Sequence, residues 1–500
     1  MIAVDVVGFV GFLLLLAWAS RRRAASAREF LVADRAVGLG PLVATLVMTE
    51  FNTSTLLAFS AAGYRAGPMA LALPLVFLIG LAFYTATVAR PWKRFNRLSV
   101  AELFSDRYSP ALGHFAALML LAAMTGFCAT YVKSLALVFA PLGSQVPFAW
   151  LTAVLTAVVV VVVLPGGLMS VVRSDVVSFV VTLVLLPALL AIGVWASASH
   201  GGLASVFPAD QRMVDPIAQW SHPVLPFRFV STLIVLTCFT YIAAPWYGQK
   251  IFAAKDERTA FAAVAWSAVL VFLLYGSALL AAAHFRVVRP GLADPQLAVP
   301  MMVVEWLPAG LRGFGLAVLF AAALTTLGGV WTAMAAMVAA DFGWVTGSRI
   351  AAQRVLLVVF AVLSWLGGTF LVDDILNRLI LANIPVAALA FALLAGFHWR
   401  RATPAGAWAS VIVGIAWGVG SFVLVGEDGG YTWPWAMYGI PLIFGTGVAV
   451  SLATGPSPRD VAPVADRGHA ETQRRRGISG RPAIPKPTPR ARASGSRMEH

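Results

Sequence analysis

The chain has few charged residues for its length. Of its 500 residues, only 12% are charged while 60% are hydrophobic, and the mean hydropathy is +0.84. A soluble domain has roughly a quarter of its residues charged, and no soluble core could bury this much apolar surface. The composition therefore predicts a protein whose main solvent is lipid.

Cysteine and catalytic motifs are also scarce. Cys128 and Cys238 are the only cysteines, and both lie in apolar runs. Two cysteines cannot hold a metal cluster alone, and a disulfide inside a membrane is not expected, so we interpret both as small packing residues. The motifs H-E-x-x-H and G-x-S-x-G and the P-loop are absent. This argues against a membrane enzyme and implies no covalent cofactor.

The net charge of +14 would suggest nucleic-acid binding in a soluble protein. Here the basic residues cluster in short loops beside apolar runs and in the C-terminal segment. That bias is typical of cytoplasmic segments next to membrane helices. The sequence therefore implies contact with a lipid bilayer, and neither a nucleic acid nor a partner protein.

Long apolar segments recur along the chain. A membrane-spanning helix needs roughly 20 mostly apolar residues, and thirteen segments qualify, which predicts an all-α membrane protein with about 13 transmembrane helices. The predicted spans are 2–19, 40–64, 68–90, 111–140, 148–164, 170–196, 227–250, 260–285, 311–340, 351–371, 376–398, 405–425 and 434–453.

The basic residues also predict how the chain crosses the membrane. With thirteen spans and the N-terminus outside, Arg21–Arg23, Lys93 and Lys250 lie in inner loops. The outer loops include the uncharged stretch 141–147 and the acidic turn Glu427–Asp428. This distribution satisfies the positive-inside rule, so we predict a multi-pass protein of the inner cell membrane with a cytoplasmic C-terminus.

The composition changes near residue 456. Residues 1–455 are predicted to form one transmembrane domain, whereas 456–500 are rich in Pro, Ser and Arg. Such a composition predicts a disordered, basic cytoplasmic tail. The tail either binds the anionic inner leaflet or is a solvated segment without a specific role.

The second predicted span has a polar centre. Residues 49–55 read TEFNTST, and Glu50 lies near the middle of the bilayer. An ionisable group there indicates a functional site. The run is typical of a broken helix whose free carbonyls and hydroxyls line a hydrated cavity. Hydrogen bonds between helices explain some of the hydroxyls, but not the glutamate.

Other polar residues lie within predicted spans. Asp175 can pair with a bound cation or with Arg173, and the residues leave both alternatives open. Thr325 and Thr326 offer adjacent hydroxyls, which are suitable ligands for a hard cation, although threonine often bonds its own helix. Lys133 is interpreted as reaching the outer surface, rather than as a partner of a substrate carboxylate.

The seventh predicted span contains Pro245, followed by Trp246 and Tyr247. Proline removes a backbone hydrogen bond and predicts a kink. The second and seventh spans are five apart, and both carry an interruption. Paired interruptions indicate a transporter built from inverted repeats, with its site between them.

Six segments, taken in order, resemble the sodium:solute symporter family, which includes the sodium/proline, sodium/glucose and sodium/sialic acid carriers. They are EFLVADRAVGLG, TEFNTSTLLAFSAAGYRAG, RLSVAELFSDRY, LPGGLMSVVRSDVVSF, YGQKIFAAKDERTA and DPQLAVPMMVVEWLPAGLRGFGLAVLFAAALTTLGG. The likeness covers about residues 1–455. It implies the LeuT-like fold, with two inverted five-helix repeats at about 40–196 and 227–398, one helix before them and two after.

The resemblance also implies a sodium site at the break in the second span. Its expected ligands are the carbonyls of Met48, Phe51 and Ala322 and the hydroxyls of Thr325 and Thr326. Sodium would be the coupling ion.

A second cation is a separate question. Asp175 matches an acidic residue linked to sodium in several members, and Glu50 falls where sodium/proline carriers have an aspartate, so both are candidates for coupling or for a second cation. Members with a second sodium have serines where this chain has Gly328 and Gly329. A second sodium is therefore not expected.

For the solute, the resemblance points to the unwound part of the second span and to the seventh span. The candidate substrate-binding residues are Glu50, Asn52, Thr53, Trp246, Tyr247 and Gln249. Glu50 would suit a cationic or zwitterionic amine, but it could equally hold sodium or stay protonated.

The implied function is sodium-coupled symport of a small organic solute by alternating access. One alternative is a proton-coupled or sodium-independent transporter, in which Glu50 and Asp175 serve a proton route. Another is a transporter-like membrane sensor, although the segment after residue 456 is too short for a kinase domain.

Overall fold

The computed structural model describes residues 3–21, 33–95, 97–142, 146–165, 167–217, 220, 222–343 and 350–455. These ranges contain helices and no strand, apart from one isolated bridge between Val37 and Ala254. The predicted basic tail, residues 456–500, lies outside the described residues.

The helices divide at the long connection after residue 198. Before it lie α1 (Ala3–Ser20), α2 (Leu39–Glu50), α3 (Thr53–Ala66), α4 (Ala72–Thr87), α5 (Ala89–Phe95), α6 (Glu102–Arg107), α7 (Pro110–Phe139), α8 (Phe148–Val163) and α9 (Gly167–Ala198). After it lie α10 (Phe227–Tyr241), α11 (Pro245–Ala253), α12 (Glu257–Val288), α13 (Ala298–Trp306), α14 (Leu311–Asp341), α15 (Ile350–Phe370), α16 (Ile375–Leu381), α17 (Ile384–Ala388), α18 (Ala390–His398), α19 (Pro404–Val425) and α20 (Thr432–Thr454).

The predicted count of thirteen spans is not confirmed. Within the described residues, nine helices are long and apolar enough to cross a membrane, or up to eleven if each of two bent pairs is one span. Two reasons account for the difference. α8 has 16 residues, fewer than the roughly 20 that a bilayer needs. The chain from Thr53 to Thr87 also counts as one span of 35 residues, where the sequence predicts a boundary.

The predicted interruption of the second span is confirmed. α2 ends at Glu50, and Asn52 has extended backbone angles before α3 begins. The Asn52 side chain accepts a hydrogen bond from the Thr55 amide at 2.8 Å. Asparagine is a favoured helix N-cap because it satisfies an amide that has no partner within the helix. Phe51 therefore caps the end of α2, and Asn52 caps the start of α3.

The predicted kink at Pro245 is also confirmed. α10 and α11 meet at an angle of 48°, and Pro245 is the first residue of α11. Proline is well tolerated there because the first turn of a helix leaves its amides without partners. A second bent pair, at 42°, joins residues 375–388 to α18. This bend was not predicted.

α14 lies at the centre of the bundle. Nearly all of its residues are buried, and it packs against α1, α2, α7, α9 and α11. Its sequence is rich in alanine and glycine, and small side chains let neighbouring helices approach closely. As a result, Thr326 lies beside the last turn of α2, at the first interrupted segment.

Candidate ion and solute site

Four of the five expected sodium ligands lie together. The Thr326 hydroxyl is 3.0 Å from the carbonyl oxygen of Met48 and 2.8 Å from that of Ala322. The Thr325 hydroxyl is 3.4 Å from the Ala322 carbonyl. All four residues are buried. The fifth, Phe51, is the first residue of the break that follows α2.

These ligands come from two helices. Met48 lies in the last turn of α2, where carbonyls lack partners from the next turn because the helix stops at Glu50. Ala322, Thr325 and Thr326 lie on one face of α14. Carbonyl and hydroxyl oxygens in a buried position are ligands that a hard cation such as sodium accepts.

Glu50 is held at the break by two tyrosines. The Tyr241 hydroxyl donates a hydrogen bond to its carboxylate, and the Tyr275 hydroxyl donates to its backbone carbonyl. Glu50 is 2% exposed. Its second carboxylate oxygen, Oε1, has no hydrogen-bond partner among the described residues, although the Trp246 indole lies near the carboxylate. A buried polar atom without a partner is rare and often marks a binding site.

A cavity of about 100 Å³ opens beside this carboxylate. Three predicted substrate contacts, Glu50, Asn52 and Trp246, lie in its wall. Most of the remaining wall is apolar, with aromatic side chains from Phe59, Phe77, Phe127, Tyr131 and Tyr241. A largely apolar cavity with a few polar groups is typical of a small-molecule site.

Two side chains lie between the cavity and a larger space. A vestibule of about 720 Å³ is lined by α3, α10 and the turn before α20. Leu73 and Leu376 line both the vestibule and the cavity. These two leucines therefore form the boundary between the two spaces.

The other three predicted substrate contacts are absent from the cavity wall. Thr53 donates to the carbonyl of Leu319 at 2.8 Å, Tyr247 bonds Ser267 at 2.7 Å, and Gln249 donates to the Thr332 carbonyl at 3.4 Å. These bonds link neighbouring helices. Adjacent residues on a helix point in different directions, which explains why Trp246 reaches the cavity and Tyr247 does not.

The assignment of Lys250 to an inner loop is wrong. Its side chain is 1% exposed, and its ammonium lies 3.0 Å from the carboxylate of Asp175, which is fully buried. Asp175 therefore pairs with this lysine in the structure, where the sequence left a bound cation or Arg173 as its partner. The positive-inside rule counts charges near helix ends, and it cannot detect a lysine whose side chain points into the bundle.

Sequence reasoning missed several residues of the site. Tyr241 is the last residue of α10, and an isolated tyrosine at a helix end is indistinguishable from an interfacial one. Asn383, which lies between α16 and α17, also lines the cavity. The following Ile384-Pro385 pair could have indicated an interruption, because proline disfavours a helix before it. Lys133 lies elsewhere, 4.9 Å from the centre of the Phe148 ring.

The model of the sodium:solute symporter family matches residues 30–414. The chain belongs to this family. Members of the sodium:solute symporter family are membrane transporters and not enzymes.

Two bacterial relatives match over most of their length. The sodium/pantothenate symporter of Escherichia coli (strain K12) is 25% identical over 420 residues, covering 79% of this chain and 85% of the relative. The sodium/pantothenate symporter of Haemophilus influenzae is 22% identical over 439 residues, covering 83% and 87%.

Solved structures share the fold. A sodium-coupled sialic acid symporter in a substrate-bound, outward-open state has a TM-score of 0.72, with 15% identity over 90% of this chain and 97% of that one. A nucleobase-cation-symport-1 family transporter, closed around bromovinylhydantoin, has a TM-score of 0.58, with 15% identity over 89% and 99%. The predicted LeuT-like fold is confirmed, while the repeat boundaries at 40–196 and 227–398 stay predictions.

Proposed function

We propose that this symporter family member couples sodium entry to the uptake of a small organic solute by alternating access. One observation carries the proposal: the carbonyls of Met48 and Ala322 and the hydroxyls of Thr325 and Thr326 converge at the break after α2, next to the cavity. We also propose that the protein lies in the inner membrane with its N-terminus outside and its C-terminus in the cytoplasm, which the loop charges support.

Sodium at these oxygens would connect two helices. Thr326 already bridges α2 and α14 through its hydroxyl, and an ion held by the same oxygens would strengthen that link. Because sodium would contact both helices, it would favour the arrangement in which they lie close together. A ligand shifts a conformational equilibrium only by its different affinity for the two states.

Solute and ion would be coupled through the break itself. Met48 supplies a carbonyl for the ion, while Glu50 and Asn52, two and four residues further on, form part of the cavity wall. A solute that orders this segment would therefore also order the ion ligands. Such coupling is reciprocal, so sodium would raise solute affinity and the solute would raise sodium affinity by the same factor.

The chemistry of the cavity restricts the solute. Aromatic walls suit an apolar or cationic group, and the free Oε1 of Glu50 can accept a hydrogen bond from an amine or hydroxyl. Pantothenate, the solute in the names of two relatives, is an anion. Its carboxylate would be repelled by Glu50, so we expect neutral or amine-bearing solutes to bind better.

The first test is the unfolding midpoint of the purified full-length protein in sodium chloride and in potassium chloride at equal ionic strength. A ligand that binds only the folded state stabilises it by RT ln(1 + [L]/Kd). We expect a rise specific to sodium, followed by sodium-dependent uptake into proteoliposomes from a panel of solutes. Equal midpoints for a folded sample would contradict sodium coupling and favour proton-driven or uncoupled transport.

A further inference from the structure

A buried lysine lies one helical turn from the proposed sodium site. The Lys250 ammonium is 3.0 Å from the Asp175 carboxylate and 2.9 Å from the Thr45 carbonyl. It also donates a hydrogen bond to the Thr49 hydroxyl. Thr45, Thr49 and Asp175 are all at most 2% exposed, so the ammonium is isolated from solvent.

Its three partners form a cation site made of oxygens. A lysine ammonium has three donors and no acceptor, and here a carboxylate, a carbonyl and a hydroxyl receive them. The same oxygen types bind hard metal cations. The lysine nitrogen therefore occupies a position whose chemistry would otherwise suit a bound ion.

This position is joined to the proposed sodium site. Thr45 and Thr49 lie in α2 on either side of Met48. The Asp175 carboxylate accepts a hydrogen bond from Thr45 and lies near the Thr325 hydroxyl. One carboxylate thus contacts the lysine and approaches a proposed sodium ligand.

The lysine side chain also fills space beside α14 near Gly329. A Cβ atom placed on Gly329 would lie 3.5 Å from Lys250 Cε and 3.6 Å from its nitrogen. These are ordinary contact distances for an added methyl group, so the lysine tip lies about one methyl group away from the Gly329 backbone. A second ion cannot enter unless the lysine leaves.

The charges support the same conclusion. The Lys250–Asp175 ion pair has no net charge. A sodium ion added beside this pair would leave an uncompensated positive charge. Uncompensated charge in a protein interior is costly.

We propose that the Lys250 ammonium is a tethered cation, which fills a second cation position formed by Asp175, Thr45 and Thr49 and limits the protein to one bound sodium. This inference rests on the proposed sodium coupling. It differs from a purely structural ion pair, because removal of the lysine should create a sodium site and not only weaken the fold.

The test is equilibrium binding of radioactive sodium to the purified full-length protein, with choline chloride keeping the ionic strength constant. We expect one sodium per wild-type molecule and two per Lys250→Ala molecule, since the shorter side chain vacates the position. The double variant Asp175→Asn/Lys250→Ala should return to one, because its vacated position lacks the carboxylate. Lys250→Arg retains the charge and should also bind one.

Several results would overturn the inference. One sodium per folded Lys250→Ala molecule would show that the lysine is only a structural partner of Asp175. Two per wild-type molecule would overturn it without any variant, which keeps the test valid if Lys250→Ala does not fold. A wild type that binds no sodium would contradict the proposed sodium coupling, and this inference with it.

Discussion

The Thr326 hydroxyl lies 3.0 Å from the Met48 carbonyl, so a side chain of α14 bonds the last turn of α2 across the proposed ion site. The two residues are 278 positions apart in the sequence. No local pattern connects them, and only the packing of α14 against the broken segment brings them together.

Thr326→Ala is expected to abolish stabilisation by sodium. At a sodium concentration of 100 times Kd, that stabilisation is about 2.7 kcal/mol, and it is read from the unfolding midpoint with and without sodium. Thr332→Ala is the matched control, because Thr332 is also buried in α14 but bonds its own helix at the Gly328 carbonyl. Retained sodium stabilisation in Thr326→Ala would exclude this hydroxyl as a ligand.

Glu50→Gln should change which solutes bind. The amide keeps the size of the side chain and an acceptor for Tyr241 while removing the negative charge. We expect amine-bearing solutes to lose about tenfold in affinity, roughly 1.4 kcal/mol, and anions such as pantothenate to gain. Solute-induced shifts of the unfolding midpoint in sodium measure both effects.

The control for this variant is Asp341→Asn. Asp341 is a buried carboxyl at the end of α14, bonded to Ser99 at 2.6 Å and away from the cavity. Its replacement should leave the order of solute preference unchanged. If Glu50→Gln and the wild type ranked the solutes in the same order of affinity, Glu50 would not discriminate between solutes by their charge.

The leucine boundary predicts a graded pattern of cysteine labelling. The vestibule wall includes Glu427 and Asp428 of the predicted outer turn, so we expect the vestibule to face the outside. In a background with Cys128 and Cys238 replaced by alanine, a membrane-impermeant thiol reagent added outside should therefore modify Ala58→Cys, which lines only the vestibule. Leu376→Cys, at the boundary, should react more slowly, because Leu376 lines the cavity as well as the vestibule.

Val76→Cys supplies the inner reference for the same experiment, because Val76 lines only the cavity. It should react last, and only when the boundary opens. Equal rates at all three positions would show that the two leucines do not separate the cavity from the vestibule.

Gly63→Ala should destabilise the bundle. A Cβ atom at Gly63 would lie 2.4 Å from the backbone oxygen of Leu279, at the contact between α3 and α12. Overpacking of this kind costs about 1–3 kcal/mol, which a lower unfolding midpoint would report. Gly420→Ala is the control, since its Cβ meets nothing within 4 Å and alanine favours a helix. Equal midpoints for the two variants would contradict the tight contact.

The broken segments could be predicted because their signals are local. A glutamate among hydroxyls in an apolar span, and a proline followed by aromatic residues, each identify an interruption within a few residues. For these elements, the interactions that interrupt the helix involve residues within one or two helical turns of each other.

The partners across the site could not be predicted. Lys250 and Asp175 are 75 positions apart, and Tyr241 reaches Glu50 across 191. Which side chains meet depends on how each helix is rotated within the bundle, and a rotation of one residue separates Trp246 from Tyr247. A lysine near a helix end also satisfies the loop-charge rule equally well whether it points outward or inward.

The buried Lys250–Asp175 pair has a consequence for how steep a solute gradient the carrier can build. A charge fixed to the protein is never released on the other side, so the lysine brings no energy from the ion gradient. One sodium entering down 100 mV and a tenfold gradient yields about 3.7 kcal/mol, enough for roughly 500-fold accumulation of a neutral solute. A second sodium would square that ratio. A carrier with a built-in cation is therefore suited to solutes that are already present in its surroundings. Fewer sodium ions enter the cell for each solute molecule taken up.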